Sequence, residues 1–420
     1  MGRCCRRNRQ RDVNDMPILS KPKAVVLGSM SKMPVGGIVF ITLQYVMGLK
    51  RLGFDVYYVE AHARTPSWLM KDEHDDPSML AASFIGDMMR RFDLGDDRWA
   101  FHALHDRGQC YGMSESALRE VYREAALIFN LHGGTIPRPE HYQTNRLVYV
   151  GTDPVADEVA VHHGEQKTID HMAPHCAFFT WGENHGNPDC GVPTSDLFKL
   201  VPTRQPIVMD LWEPFHRGPA TTFTTIANWN QPWRPVTLNG ETYYWSKHLE
   251  FLKFLDLPRR TNQGQQDFEL ALSNLGDDDR RRLLEHGWQL RESLDFTMDV
   301  DTYRAYIGQS RGEFTVAKDQ NIRLRSGWFS DRSASYLACG RPVVTQETGF
   351  SNILPTGEGL FAFSTMEEIE EAVDRINSDY GRQSRAASRI ARECFDYRVV
   401  LGAMLDHLGC KPAAPAEIER

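Results

Sequence analysis

The stretch SGWFSDRSASYLACGRPVVTQETGF, Ser326 to Phe350, decides the fold. Its middle, DRSASYLACG, has helical spacing and ends in Gly340, a residue suited to the left-handed turn that closes a helix. RPVVTQ follows at once, a short β-branched run that predicts a buried strand, and the strand runs into a Thr-Gly turn. A helix delivering the chain straight into a buried strand is half of a βαβ unit and implies a parallel α/β sheet. In such sheets ligands gather beyond the carboxyl ends of strands, which singles out Glu347, Thr348, Gly349 and Phe350.

The start of the same helix carries a second signal. Ser330, Asp331 and Ser333 lie where a loop becomes a helix, so free backbone N–H groups and the positive end of the helix dipole are available to phosphate oxygens. Lys318, Arg323, Arg325 and Arg332 add cationic donors close by in sequence. The plainer reading of these residues is an N-cap with solvated arginines. Trp328 and Phe350 adjoin the anion site and are the aromatics placed to stack on a base or sugar ring.

Working outward, KAVVLGSM from Lys23 is a short strand ending in glycine, and a helix of about Ile38 to Leu52 follows, capped by Gly53. DVYYVE, ALIFNLHGG, RLVYVGTDP and CAFFTWGENHG then read as further strands of a doubly wound sheet. Proline-rich PTRQPIVMDLWEPFHRGP marks a boundary, after which FTTIANW, FELAL, GWQLRE and GEFTVA repeat the strand pattern. VTLNGETYYW predicts a hairpin turning at Asn239 and Gly240, and SKHLEFLKFLDLP predicts a helix stopped at Pro258. The expected organisation is a disordered basic tail over 1–22, a first Rossmann-like domain over 23–205, a second over 206–384, a C-terminal helix over 385–412 and a frayed end over 413–420.

The 420 residues suit two domains, and 41% hydrophobic with 25% charged residues supplies two ordinary cores. A formal charge of -8 argues against a nucleic-acid partner. The eight cysteines sit in no metal-ligand spacing and suit a reduced, cytoplasmic chain. GGIVFITLQYVMGL is too short and too polar to span a bilayer, so no integral membrane segment is expected. The opening MGRCCRRNRQR lacks the apolar run of a secretory signal, and Met16 is an alternative start. His162, His163, His171, His175 and His185 match no standard metal site, so no metal is expected.

The run Ala338-Cys339-Gly340, then Pro342-Val343-Val344, then Glu347-Thr348-Gly349 resembles the GT-B class of nucleotide-sugar glycosyltransferases, whose second domain carries a helix ending ACG, a strand xPVV and an acidic-Gly turn. The likeness is to bacterial family 1/4-like members and closer still to the spore-coat-type group. It implies two facing Rossmann-like domains, a C-terminal helix packing back across their interface, and a nucleotide-diphosphate sugar held mainly by the second domain. It implies a metal-independent hexosyltransferase with no cofactor beyond the donor co-substrate and an acceptor hydroxyl of unread identity. The glutamate pair common in the retaining subgroup is absent, its positions being Gly327 and Ser335, so the stereochemical outcome stays open.

Within that resemblance Gly36 and Gly37 correspond to the loop that approaches the donor, and Lys247, Lys318 or Arg325 would neutralise the leaving diphosphate. An inverting mechanism needs a base near the acceptor hydroxyl, with Asp153 the first choice, then His132 and Glu183. Each of these also has a structural reading, Asp before Pro being a common turn residue. A nucleotide-sugar 2-epimerase of the same fold, or a non-catalytic sugar-nucleotide binding protein, are the alternatives. A dinucleotide dehydrogenase fits less well, because GSMSKMPVGG is not GxGxxG.

Overall fold

The computed structural model describes residues 21–62, 67–215, 220–261 and 267–410. The basic tail expected over 1–22 falls outside these apart from its last two residues. Met16 and the end expected to fray over 413–420 fall outside them too.

Two parallel sheets organise the chain. The first contains β1 (Lys23–Leu27), β2 (Asp55–His62), β3 (Trp99–Ala103), β4 (Gln109–Gly112), β5 (Ala125–Leu131), β6 (Leu147–Gly151), β7 (Ala177–Thr180) and β8 (Leu200–Pro202), in the order β4-β3-β2-β1-β5-β6-β7-β8. Only β4 runs antiparallel. After β9 (Phe223–Asn228) come the hairpin strands β10 (Val236–Leu238) and β11 (Glu241–Tyr243), paired antiparallel. The second sheet adds β12 (Phe268–Ser273), β13 (Gln289–Glu292), β14 (Gly312–Thr315), β15 (Val343–Gln346) and β16 (Leu360–Phe363) in the order β13-β12-β9-β14-β15-β16. Counted within its own half, that is the doubly wound order 3-2-1-4-5-6, whose ligand crevice opens where the order reverses.

The strands read as apolar runs because both faces are covered: Ala24 to Leu27, Ile128, Phe129 and Val148 to Val150 are all buried. The valine, leucine, isoleucine and phenylalanine side chains among them each contribute about 1.5–3 kcal/mol on leaving water. The hairpin turns where expected, with Asn239 at φ 53° and Gly240 at φ 82°, the positive pair that a two-residue turn of this hand requires.

One expectation needs correcting. Pro258 does not stop a helix: it lies in the first turn of a new one, Leu257–Thr261, where its missing N–H costs nothing. Strands β3 and β4 are additional to those read from the sequence.

The chain crosses back at its end. Ile207 pairs with Asp396, and helix Tyr397–His407 lies on helix Gly36–Arg51 so closely that a Cβ on Gly48 would sit 2.6 Å from Leu401 Cδ1. Helix Val300–Gln309 from the second half reaches the same helix, stacking Tyr303 on Phe40 with ring centroids 6.1 Å apart. One apolar cluster thus runs from the first sheet through Trp212 and Tyr303 to Phe329 and Phe395, joining the halves. Among the described residues no helix is long and apolar enough to cross a membrane.

Candidate active site

A cleft of about 270 Å³ opens between the two sheets. Met33, Gly37, Ile38 and Trp68 form its wall from the first half. Asn228, Ser273 and Ser293, at or just past the carboxyl ends of β9, β12 and β13, form the opposite wall with Lys247, Tyr303, Asp331 and Arg332. Asn228, Ser273 and Ser293 were missed from sequence, although the carboxyl-end rule applied to the first half would have found them in the second.

Lys247 precedes helix His248–Phe251, and its Nζ lies 5.4 Å from the ring centroid of Trp328. Its ammonium has no hydrogen bond or ion pair among the described residues. Burial pulls its pKa well below the ordinary lysine value, Arg332 and Lys318 push the same way, and Glu313 and Asp331 oppose them. Asp331 is the first residue of helix Asp331–Ala338, and its Oδ2 lies 3.7 Å from where a Cβ on Gly37 would be. Burial raises its pKa to about 6, against the pull of Arg332, two backbone N–H groups and Lys247.

Lys318, the N-cap residue of helix Asp319–Arg323, lies with its Nζ 3.0 Å from the ring centroid of Trp245 in its own half and 2.8 Å from Asp153 Oδ1 in the other. Trp328 bridges the same seam: its Nε1 donates to Thr152 O at 3.3 Å. Thr152 Oγ1 is 2.7 Å from His132 Nδ1. Burial lowers the His132 pKa to about 4, Asp153 acting against it, and His132 Nε2 is buried without a hydrogen-bond partner.

The other candidates are placed elsewhere. Gly36 is small because Tyr303 is there: a Cβ would come within 2.4 Å of Tyr303 Cγ, so this glycine serves packing between the halves. Arg332 faces the cleft, but its Nε bonds Glu313 at 2.5 Å and its Nη2 bonds Thr315 Oγ1 at 2.9 Å, while Nη1 donates to Ile226 O. Arg323 lies over the Tyr243 ring and pairs with Glu241 of the hairpin. Arg325 pairs with Asp189 at 2.9 Å. Both guanidiniums were expected beside the phosphates; each is held by a carboxylate outside the residues that line the cleft.

The turn after β15 is a seam rather than a pocket wall. Glu347 accepts the N–H of Gly349, Thr348 Oγ1 donates to Trp328 O at 2.7 Å, and Gly349 at φ 95° sits against Asn184. Phe350 is in the core against Phe329, centroids 5.3 Å apart. Ser330 holds the N-cap position with no side-chain cap bond, its carbonyl accepting from Gln205 Nε2 at 2.9 Å. The Ser333 hydroxyl is buried without a partner. Glu183 forms an ion pair with Arg204 at 2.7 Å, and burial raises its pKa against that pair. Among the described residues no group of three or more His, Cys, Asp or Glu side chains could hold a metal ion.

The arrangement is a cleft between two doubly wound sheets, lined by an ammonium that has no ion pair among the described residues. Structures of HepE from Anabaena share the arrangement of two sheets. The complex with UDP-glucose matches at TM-score 0.54 and 11% identity over 92% of this chain and 99% of that one. The complex with UDP and glucose matches at TM-score 0.53 and 11% identity over 93% and 99%, and that with UDP at 0.51 and 12% over 92% and 99%.

The chain has the GT-B fold.

The C-terminal crossing expected of a GT-B chain is the helix Tyr397–His407 on the first half. No protein-family model matches the sequence, and no curated protein does. The fold is therefore carried here by a GT-B chain whose similarity lies in backbone arrangement.

Proposed function

We propose that this chain transfers a hexosyl group from a nucleoside-diphosphate sugar to an acceptor hydroxyl. The observation that supports the reading best is Lys247. Lysine is almost never buried unless paired, because an ammonium out of water is costly without a counter-ion. An anion in the cleft would supply one. A sugar diphosphate gains negative charge as its bond to the anomeric carbon breaks, so a fixed ammonium stabilises the transition state more than the ground state. The positive end of the dipole of helix Asp331–Ala338 acts with the same sign.

Gly37 lets the donor approach the backbone, and Trp328 lies under Lys247, where its indole can pack on the donor. The ammonium provides the positive charge a metal would otherwise bring, so transfer is expected to persist in chelator. HepE is crystallised with UDP and UDP-glucose, which puts UDP-sugars first among donors to try.

The test is a thermal-shift series with UDP-, GDP-, ADP- and dTDP-sugars on the parent protein, Lys247→Met and Arg325→Ala. One donor should raise the parent's melting temperature, also raise that of Arg325→Ala, and leave Lys247→Met unmoved. A ligand at about 100 times its Kd adds about 2.7 kcal/mol, well within reach of the method. No shift with any donor would sink the reading, and an isomerised donor without acceptor would turn it into the epimerase.

A further inference from the structure

A second cavity of about 360 Å³ lies in the first half, at the carboxyl ends of β2, β3 and β5, lined by Lys32, His62, Leu104, Gly134, Ile136 and Arg138 among others. Lys32 lines this cavity and the next residue, Met33, lines the donor cleft, so one loop separates the two. Beneath it Glu60 is fully buried with both oxygens occupied. Oε1 accepts from Ser31 N at 2.8 Å and Tyr58 OH at 2.6 Å; Oε2 accepts from Ser31 Oγ at 2.5 Å and lies 2.7 Å from His62 Nε2.

A carboxylate only accepts, so the network places a ring hydrogen on Nε2 and leaves Nδ1 as the nitrogen that can take up a proton. Nδ1 has no hydrogen bond among the described residues. We propose that this cavity takes the hydroxylic acceptor and that His62, positioned by Glu60, is its base. The inference rests on the transferase reading above.

The other candidates for the base are engaged. Asp153 is paired with Lys318, Glu183 with Arg204, and His132 has its Nε2 sealed from solvent. Among the described residues, the charged and titratable groups around His62 are Glu60 on its own strand, His105 from beyond β3 with Nδ1 3.5 Å from His62 O, Lys32 after β1 and Arg138 after β5. Arg138 Nε is taken by Glu140 at 2.6 Å.

In the reaction His62 Nδ1 takes the acceptor's hydroxyl proton as the acceptor oxygen forms its bond to the anomeric carbon. The bond from that carbon to the diphosphate breaks, and its electron pair leaves with the nucleoside diphosphate toward Lys247. Attack and departure on opposite faces invert the anomeric centre.

The test uses the full chain, the nucleotide sugar that gives a thermal shift, water as acceptor and azide as a nucleophile with no proton to lose. His62→Gln should keep the donor's thermal shift and slow nucleoside-diphosphate release to water by about 100-fold or more, the usual size of general-base catalysis. Azide should bring His62→Gln to within about threefold of the parent's azide rate. Glu60→Gln should lose less, with the acid limb of its pH profile displaced. Release to water at the parent rate, or equal losses with water and azide, would overturn the proposal. Should His62→Gln not fold, the parent decides: an acid-side fall with water and none with azide supports His62, and the same fall with both overturns it. A parent with no donor shift fails the transferase reading instead.

Discussion

Lys318 Nζ and Asp153 Oδ1 lie 2.8 Å apart, one from each half of the molecule, and the lysine end of the pair is buried against Trp245. Burial lowers the Lys318 pKa and Asp153 raises it. The pair therefore clamps the halves together beside the cleft. Asp153→Asn strands a buried ammonium and should cost about 1–2 kcal/mol in denaturant unfolding, the low end for a charged hydrogen bond because Asp153 is 36% exposed. Lys318→Met in that background should recover part of the loss, a coupling the double-mutant cycle measures directly. Were Asp153 the base, the same substitution would abolish turnover; in this account turnover falls only modestly.

Lys247 should show the opposite stability effect. Its folded-state pKa is depressed, so the folded form prefers the neutral amine. The resulting penalty is complete below the folded-state pKa and fades as pH rises from there toward the unfolded lysine value. Lys247→Met should therefore be at least as stable as the parent without ligand, with a smaller gain in melting temperature between neutral and alkaline pH. Donor binding, which needs the charged form, should vanish in the variant and weaken in the parent as pH rises.

Much of this fold was legible because the elements carry local chemistry. Asn239-Gly240 can hardly be anything but a tight hairpin turn, and VVLG, IFNL and PVV are runs that only a sheet buried on both faces accommodates. The site was legible only in part. Lys247, Asp331 and Gly37 line the cleft and Trp328 lies beside Lys247, but Arg323, Arg325 and Arg332 look identical in sequence and were separated by the partners the fold brings them, Glu241, Asp189 and Glu313. Which carboxylate a guanidinium finds is a tertiary fact. His62 carried no local signal either, since its partner Glu60 reads as the last residue of an apolar strand.

Asp331 titrates in the reverse sense to an ordinary carboxylate, its pKa being raised to about 6. A raised acid destabilises the fold in full above its folded pKa, and that penalty disappears as pH falls toward the unfolded value near 3.8. Asp331→Asn should thus be more stable than the parent at pH 7, and the difference should close by about pH 4. Melting temperatures of the two proteins across that range measure it; a difference that stays constant with pH would contradict the raised value.

Gly36 and Tyr303 provide the most direct test of how the halves meet. A Cβ at Gly36 would lie 2.4 Å from Tyr303 Cγ and 2.7 Å from its Cδ1, inside the range that real contacts avoid. The ring cannot simply swing away, because it stacks on Phe40 and edges onto Trp212 in the joining core. Gly36→Ala should therefore cost about 1–3 kcal/mol, the usual size of overpacking. Tyr303→Ala alone opens a cavity, at about 3–5 kcal/mol for a large aromatic side chain. Combined, the two should cost less than their sum, because the added methyl occupies space the ring has left. If instead Gly36 serves the donor, Gly36→Ala will weaken nucleotide binding and spare the melting temperature, and Tyr303→Ala will not rescue it.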